Sequence, residues 1–159
     1  MMAQTYLASA ALNGRSGHEV GRMLLSQLYD THVGTPMPQI LAAPRGKPYF
    51  ADSGWHFSIS HTKHYAFCVL ADIPVGLDAE EMDRKVDLSI APKILSAQEL
   101  TQFQSAQDQR LTLLRFWVLK EAQAKLTGEG MKWHPIHTVF TLPDSRIQEI
   151  SGCLVAVVY

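Results

Sequence analysis

In WHFSISH, Trp55, Phe57, Ile59 and His61 fall on one side of an extended chain, and His56, Ser58 and Ser60 fall on the other. VGLDAEE repeats the pattern: Val75, Leu77 and Ala79 form an apolar face, and Gly76, Asp78 and Glu80 the opposite one. Both stretches read as strands with one buried face. Between them HYAFCVLA is almost uninterruptedly apolar and reads as a central strand. TYLAS predicts a short strand near the start, and HTVFTL and CLVAVVY predict a closing pair around the turn PDSR.

The helical period takes over in two long runs. HEVGRMLLSQLYDTH sets Val20, Met23, Leu24 and Leu28 on one stripe and is ended by Gly34. A second long helix is predicted from about Gln109 to Leu126, after a polar break at 105–108. Before that break, Ser96-Ala97-Gln98-Glu99 matches a capping box and starts a shorter helix. PMPQILAAPRGKPYF, with four prolines and a glycine, predicts an extended connector with turns. The order is strand–helix–strand–strand, then strand–helix–helix–strand–strand. It predicts an α+β fold of two similar α/β halves related by a pseudo-twofold axis, although no close sequence repeat accompanies it. We place the halves at 1–62 and 63–159, joined as one compact unit.

Composition narrows this picture without redirecting it. A chain of 159 residues, 47% apolar and 18% charged, is that of a globular protein rather than a disordered one. A formal charge of −1 supplies no overall field for nucleic acid or an anionic membrane, so neither is expected as a partner. Cys68 and Cys153 lie in apolar strand contexts and read as buried thiols, not as a disulfide or zinc framework. MMAQTYLASAALNG lacks the basic start of a signal peptide, and no stretch approaches the length of a membrane span. The expected location is the cytoplasm.

The candidate chemistry sits on the second alternating strand and the second long helix. Asp78 and Glu80 share a strand face with α-carbons about 6.6 Å apart, which is either a solvated face or the start of an oxygen-ligand site. In RFWVLKEAQAKLTGEG, Trp117, Glu121 and Lys125 recur every fourth residue along one side of a helix. Glu121 and Lys125 could be a weak surface pair. Glu121 could instead join Asp78 and Glu80, if the helix crosses the strand. Gly128 and Gly130 read as C-cap and turn. Arg45, Gly46 and Lys47 before Pro48 suggest an exposed anion-binding turn, and His61 ends an apolar strand face.

Taken in order, GKP (Gly46–Pro48), FSISHT (Phe57–Thr62), GLDAE (Gly76–Glu80) and FWVLKEAQAK (Phe116–Lys125), followed by TGEGM, resemble the 4′-phosphopantetheinyl transferases. The likeness is to the larger, monomeric class typified by the surfactin-synthetase activator. The resemblance implies coenzyme A bound between the halves, and transfer of phosphopantetheine to a serine of an apo acyl or peptidyl carrier protein with release of 3′,5′-ADP. It implies that Asp78, Glu80 and Glu121 hold Mg²⁺ (Mn²⁺ being the alternative), and that Lys125 and His61 meet phosphate. Lys47, Gly46 and Pro48, with Arg45, would line the nucleotide pocket, and Trp117 would orient the metal helix. The N-terminal half would serve the nucleotide and the C-terminal half the metal and catalysis.

The base for the serine proton is left open between Glu121, Glu80 and a water on the metal, and Glu99 is left outside the core set. Arg15, Arg22 and Arg45 are the early arginines available for a 3′-phosphate. Lys63, Lys85, Arg84 and Lys93 are candidates to meet an acidic carrier. The resemblance departs at the start, where only 45 residues precede GKP. A non-catalytic coenzyme A or carrier-binding module of the same fold, and a different metal-dependent pyrophosphate-cleaving enzyme, are the competing readings.

Overall fold

The structure, a computed structural model, describes residues 2–128 and 135–159. Gly130, expected as a turn residue, lies outside the described residues. Strand β1 (Thr5–Ala11) leads into helix α1 (Gly17–His32), whose Ser16 cap accepts the Glu19 N–H. A small hairpin follows, β2 (Ile40–Ala42) with β3 (Pro48–Phe50). The proline-rich connector carries an expected turn: Gly46, at φ +89°, turns it back on itself. Strands β4 (His56–His61) and β5 (Tyr65–Ala71) complete a sheet in the order β1-β5-β4, with the apolar β5 at its centre. By its hydrogen bonds this sheet runs through Ala71, so the boundary expected after Thr62 falls inside the β4–β5 hairpin.

The second unit opens with β6 (Gly76–Glu81) and continues through a 3₁₀ turn at Leu88–Ile90 and the short α2 (Ala91–Ile94). Helix α3 (Ala97–Gln104) begins with the expected reciprocal capping box of Ser96 and Glu99. Helix α4 (Gln109–Thr127) is capped by Asp108 and ends on Gly128 in the left-handed region. Strands β7 (Ile147–Ile150) and β8 (Cys153–Val158) pair with β6 in the order β6-β8-β7. Each three-stranded sheet thus places its first strand beside its last, all neighbours antiparallel.

HTVFTL does not form the expected strand. The Phe140 N–H is taken by Glu99 Oε2 at 2.8 Å and the Leu142 N–H by Gln102 Oε1 at 3.0 Å. The Thr138 carbonyl accepts from Lys120 at 2.7 Å. With these groups satisfied by side chains of α3 and α4, the segment has no need of a ladder partner.

The core divides into layers. Ala66, Cys68 and Leu70 of β5 pack with Val20, Leu24 and Leu25 of α1. The opposite face of β5, Phe67, Val69 and Ala71, packs on Leu77, Ala79, Val155 and Val157 of the second sheet. Beyond that sheet, Leu154, Ala156 and Val158 meet Phe116, Leu119 and Ala122 of α4. The result is helix, sheet, sheet, helix. Cys68 and Cys153 are both free and buried, as expected, and burial pushes the Cys68 thiol up to about 12.

Candidate active site

Strand β6 is held on both sides by features legible in its alternation. Leu77 and Ala79 enter the core between the sheets, while Gly76 lies directly beneath α4. A Cβ on Gly76 would stand 2.0 Å from the Ala122 carbonyl oxygen, so only glycine lets the helix lie this close. The carboxylate face is therefore covered by α4 rather than solvated, and Asp78 is only 7% exposed.

On its other flank β6 meets β4 through side chains. Ser58 Oγ accepts the Leu77 N–H at 3.1 Å, and Ser60 Oγ accepts the Ala79 N–H at 3.2 Å. Ser60 also donates to Asp78 Oδ1 at 3.4 Å. Two hydroxyls thus substitute for a strand ladder between the sheets and fix the height of Asp78 relative to β4. Neither serine was singled out as a site residue from the sequence. Their clue was the unexplained polar face of WHFSISH.

Asp78 lies close to two other acids and one cation. Lys125 reaches across from α4 to Asp78 Oδ1 at 3.2 Å, instead of forming the surface pair with Glu121 that its spacing allowed. Asp78 Oδ2 is the one buried side-chain oxygen or nitrogen without a hydrogen-bond partner among the described residues. Burial raises the Asp78 carboxyl to about 7, with Lys125 opposing and Glu80 and Glu121 reinforcing the rise. Glu121 is also raised, first by burial, with Lys125 and Arg84 opposing and Glu80 adding to it. Glu80 pairs with Arg84, whose loop is tied to α4 because Arg110 donates to the carbonyls of Met82 and Arg84 at 2.6 and 2.9 Å.

The donor set suits a hard divalent cation: three carboxylates in mutual repulsion, one with an orphaned buried oxygen. Among the described residues no three such side chains are gathered as a ligand cluster, and Lys125 and Arg84 stand beside Asp78 and Glu80 as counter-ions. A cation entering here would displace those contacts and answer the same charge.

Beside the acids opens a cleft of about 300 Å³. Arg45, Lys47 and Pro48 line one wall, Ser58 and Ile59 the floor, and Glu121, Lys125 and Gly128 the helix side. Lys47 bridges the two units, donating to the Leu126 carbonyl at 2.9 Å, and its burial lowers its pKa. Gly46 stands at the hairpin turn next to this wall. His61 is exposed, its ring against Gly17 at the start of α1, and lines a neighbouring cavity of about 500 Å³ with Lys63, Glu80 and Arg84. The structure thus brings Arg45, Lys47, Pro48, Glu121 and Lys125 into one cleft and sets His61 with Glu80 at another. Of the other early arginines, Arg15 donates to Met23 Sδ at 3.5 Å, and Arg22 acts on Cys68. Trp117 packs on the core beneath α4. A cavity of about 560 Å³ between α3, α4 and β7 lies apart from these residues.

Lys120 was not singled out in the sequence, and Glu99 was read there as a capping residue and left outside the core set. Both side chains have 0% exposure and form an ion pair at 2.7 Å. Burial lowers the Lys120 pKa, and Glu99 opposes that shift. The signal was available: Lys120 falls seven residues after Leu113 and four after Phe116, on the buried stripe, where a lysine needs an anion.

A layered α+β fold thus places three coupled acids beside a lysine-lined cleft. The chain belongs to the 4′-phosphopantetheinyl transferase superfamily, whose family model matches residues 74–153, from just before β6 into β8. It is 33% identical over 119 residues to 4′-phosphopantetheinyl transferase psf-1 of Bacillus pumilus, covering 72% of this chain and 51% of that one. It is 31% identical to 4′-phosphopantetheinyl transferase gsp of Aneurinibacillus migulanus, covering 82% and 55%. With 4′-phosphopantetheinyl transferase AcpT of Escherichia coli O157:H7 it shares 32% identity over 84% of this chain and 67% of the relative. The chain spans about half the length of psf-1 and gsp. No helix among the described residues is long and apolar enough to cross a membrane.

Proposed function

We propose that this chain transfers 4′-phosphopantetheine from coenzyme A to a serine of an apo acyl or peptidyl carrier protein, in the cytoplasm, releasing 3′,5′-ADP. The observation that carries the reading is Asp78: buried, half unpartnered, and coupled to Glu80 and Glu121 at the edge of a cleft lined by Lys125 and Lys47. The names of the relatives supply the group transferred. We assign the chain to the larger, surfactin-activator-like class, acting as a monomer, with its two topologically alike units related by a pseudo-twofold axis. The first unit serves the nucleotide and the second the metal and catalysis.

Asp78, Glu80 and Glu121 would hold Mg²⁺, which when bound supplies positive charge to the pyrophosphate oxygens and to the leaving phosphate. Lys125, at the cleft wall, can move its ammonium from Asp78 to a phosphate oxygen without leaving the site. Lys47, Pro48 and Arg45 bind and orient the nucleotide end, and His61 contacts phosphate from the strand end. In the transfer, the carrier serine oxygen bonds to the β-phosphorus, and the bond from that phosphorus to the bridging oxygen breaks. Glu121 or Glu80 would accept the serine proton. Charge that builds on the non-bridging oxygens is answered by Lys125 and His61.

With coenzyme A, Mg²⁺ and an apo carrier, the carrier gains the mass of one phosphopantetheine. No gain with fatty-acid, polyketide and peptide-synthetase carriers, from folded protein, overturns the proposal. One observation favours a second reading: Asp78 and Glu80 are already ion-paired with Lys125 and Arg84, so the acids could be neutralised without a metal. A non-catalytic coenzyme A or carrier-binding module would then bind coenzyme A equally with and without chelator by calorimetry, and show no transfer.

A further inference from the structure

The buried Glu99–Lys120 pair lies outside the cleft, yet it joins three segments around the helix that carries Glu121 and Lys125. Glu99 Oε1 accepts the Ser96 N–H and Oε2 accepts the Phe140 N–H, each at 2.8 Å. The Lys120 ammonium donates to the Pro135 and Thr138 carbonyls, each at 2.7 Å, and to Glu99. Three N–H donors meet three acceptors, so nothing is left over for a substrate. Lys120 is therefore not a catalytic residue.

Its cage acts on the helix instead. Successive residues of an α-helix are turned by about 100°, so holding residue 120 at one angle sets the directions of 121 and 125. On the strand side, the Ala122 carbonyl rests in the space left by Gly76. Gripped at both places, α4 cannot roll on β6. An apolar pair would also fill this volume, and buried ion pairs often add no net stability over one. What the ammonium adds is a demand for one particular set of acceptors.

We propose that the Glu99–Lys120 pair is a positioning device for the acidic cluster: it sets the roll of α4 on β6, and so the angle at which Glu121 and Lys125 meet Asp78. This rests on reading that cluster as the metal and phosphate site. The test compares the parent with the double variant Glu99→Gln/Lys120→Met, both shown by circular dichroism to be folded well below their melting points. Mn²⁺ alone is titrated by calorimetry, and kcat and KM for coenzyme A are measured separately.

The proposal expects Mn²⁺ bound at least tenfold more weakly in the folded variant, and kcat reduced at least tenfold with KM changed less than threefold. Parental Mn²⁺ affinity and kcat in the folded variant overturn it. Should the double variant not fold, Glu99→Asp keeps the charge and shortens its reach. Mn²⁺ binding weakened three- to fivefold then supports the proposal, and parental binding overturns it. A parent that binds no Mn²⁺ contradicts the metal reading, and amide exchange of residues 121–127 in metal-free protein then decides the positioning claim. Exchange at least tenfold faster in the variant supports it, and parental rates overturn it.

Discussion

Beneath α4, with one oxygen against Lys125 and the other without a partner, Asp78 holds its proton to about pH 7. An unfolded chain releases the same proton near the ordinary value of 3.8. Between those points the folded state binds more protons than the unfolded one, so stability falls as pH rises through the window and stays lowered above it. Replacing Asp78 by Asn removes the titration. In chelator, urea midpoints measured from pH 4 to pH 8 should decline less steeply for Asp78→Asn than for the parent. The same variant should lose transfer activity by roughly a hundredfold or more, the scale of removing one preorganised charge-stabilising group. A parental pH slope in the variant would show that Asp78 is not the group responsible. Asp78 and Glu80 could be read from the sequence because a period of two puts them on one face. The cover over that face could not, because it depends on a helix forty residues away. Lys120 shows the reverse: its place on the buried stripe was legible, and its partner Glu99 was hidden behind an ordinary capping role.

At the scale of elements, the site depends on how closely α4 lies on β6 and how β6 is pinned to β4. Gly76→Ala would place a methyl group in the Ala122 carbonyl. The expected cost is about 2–3 kcal/mol of overpacking, seen as a melting point lower by roughly 4–12 °C. A parental melting point would mean that the helix does not depend on that contact. Ser58→Ala and Ser60→Ala each leave a buried β6 N–H without its acceptor, at about 1–3 kcal/mol apiece. Chemical denaturation should show both losses, since they report the join between the sheets. Most elements were legible: β5 from its apolar run, α3 and α4 from capping residues and helical spacing. HTVFTL was misread because its pattern of Val139, Phe140 and Leu142 suits a strand. Its backbone partners, Glu99, Gln102 and Lys120, lie too far along the chain to leave a local signal.

The whole molecule stacks two helix–sheet units so that elements from both line one cleft: Arg45, Lys47 and Pro48 from the first, Glu121 and Lys125 from the second. Lys47, bonded to the last turn of α4, is a direct polar tie between the β2–β3 hairpin and that helix. The fold class was legible from element order, whereas the pegging of β4 to β6 by two serines was not, since hydroxyls on a strand face look like solvent contacts. The central claim is that the acids under α4 serve transfer rather than decorating a helix. The most direct measurement is the mass of an apo carrier protein incubated with coenzyme A, Mg²⁺ and either the parent or Glu121→Ala. The account predicts one added phosphopantetheine with the parent, and a rate at least a hundredfold lower with the folded variant. Equal rates for the two proteins, or no addition by the parent to any carrier, would contradict it.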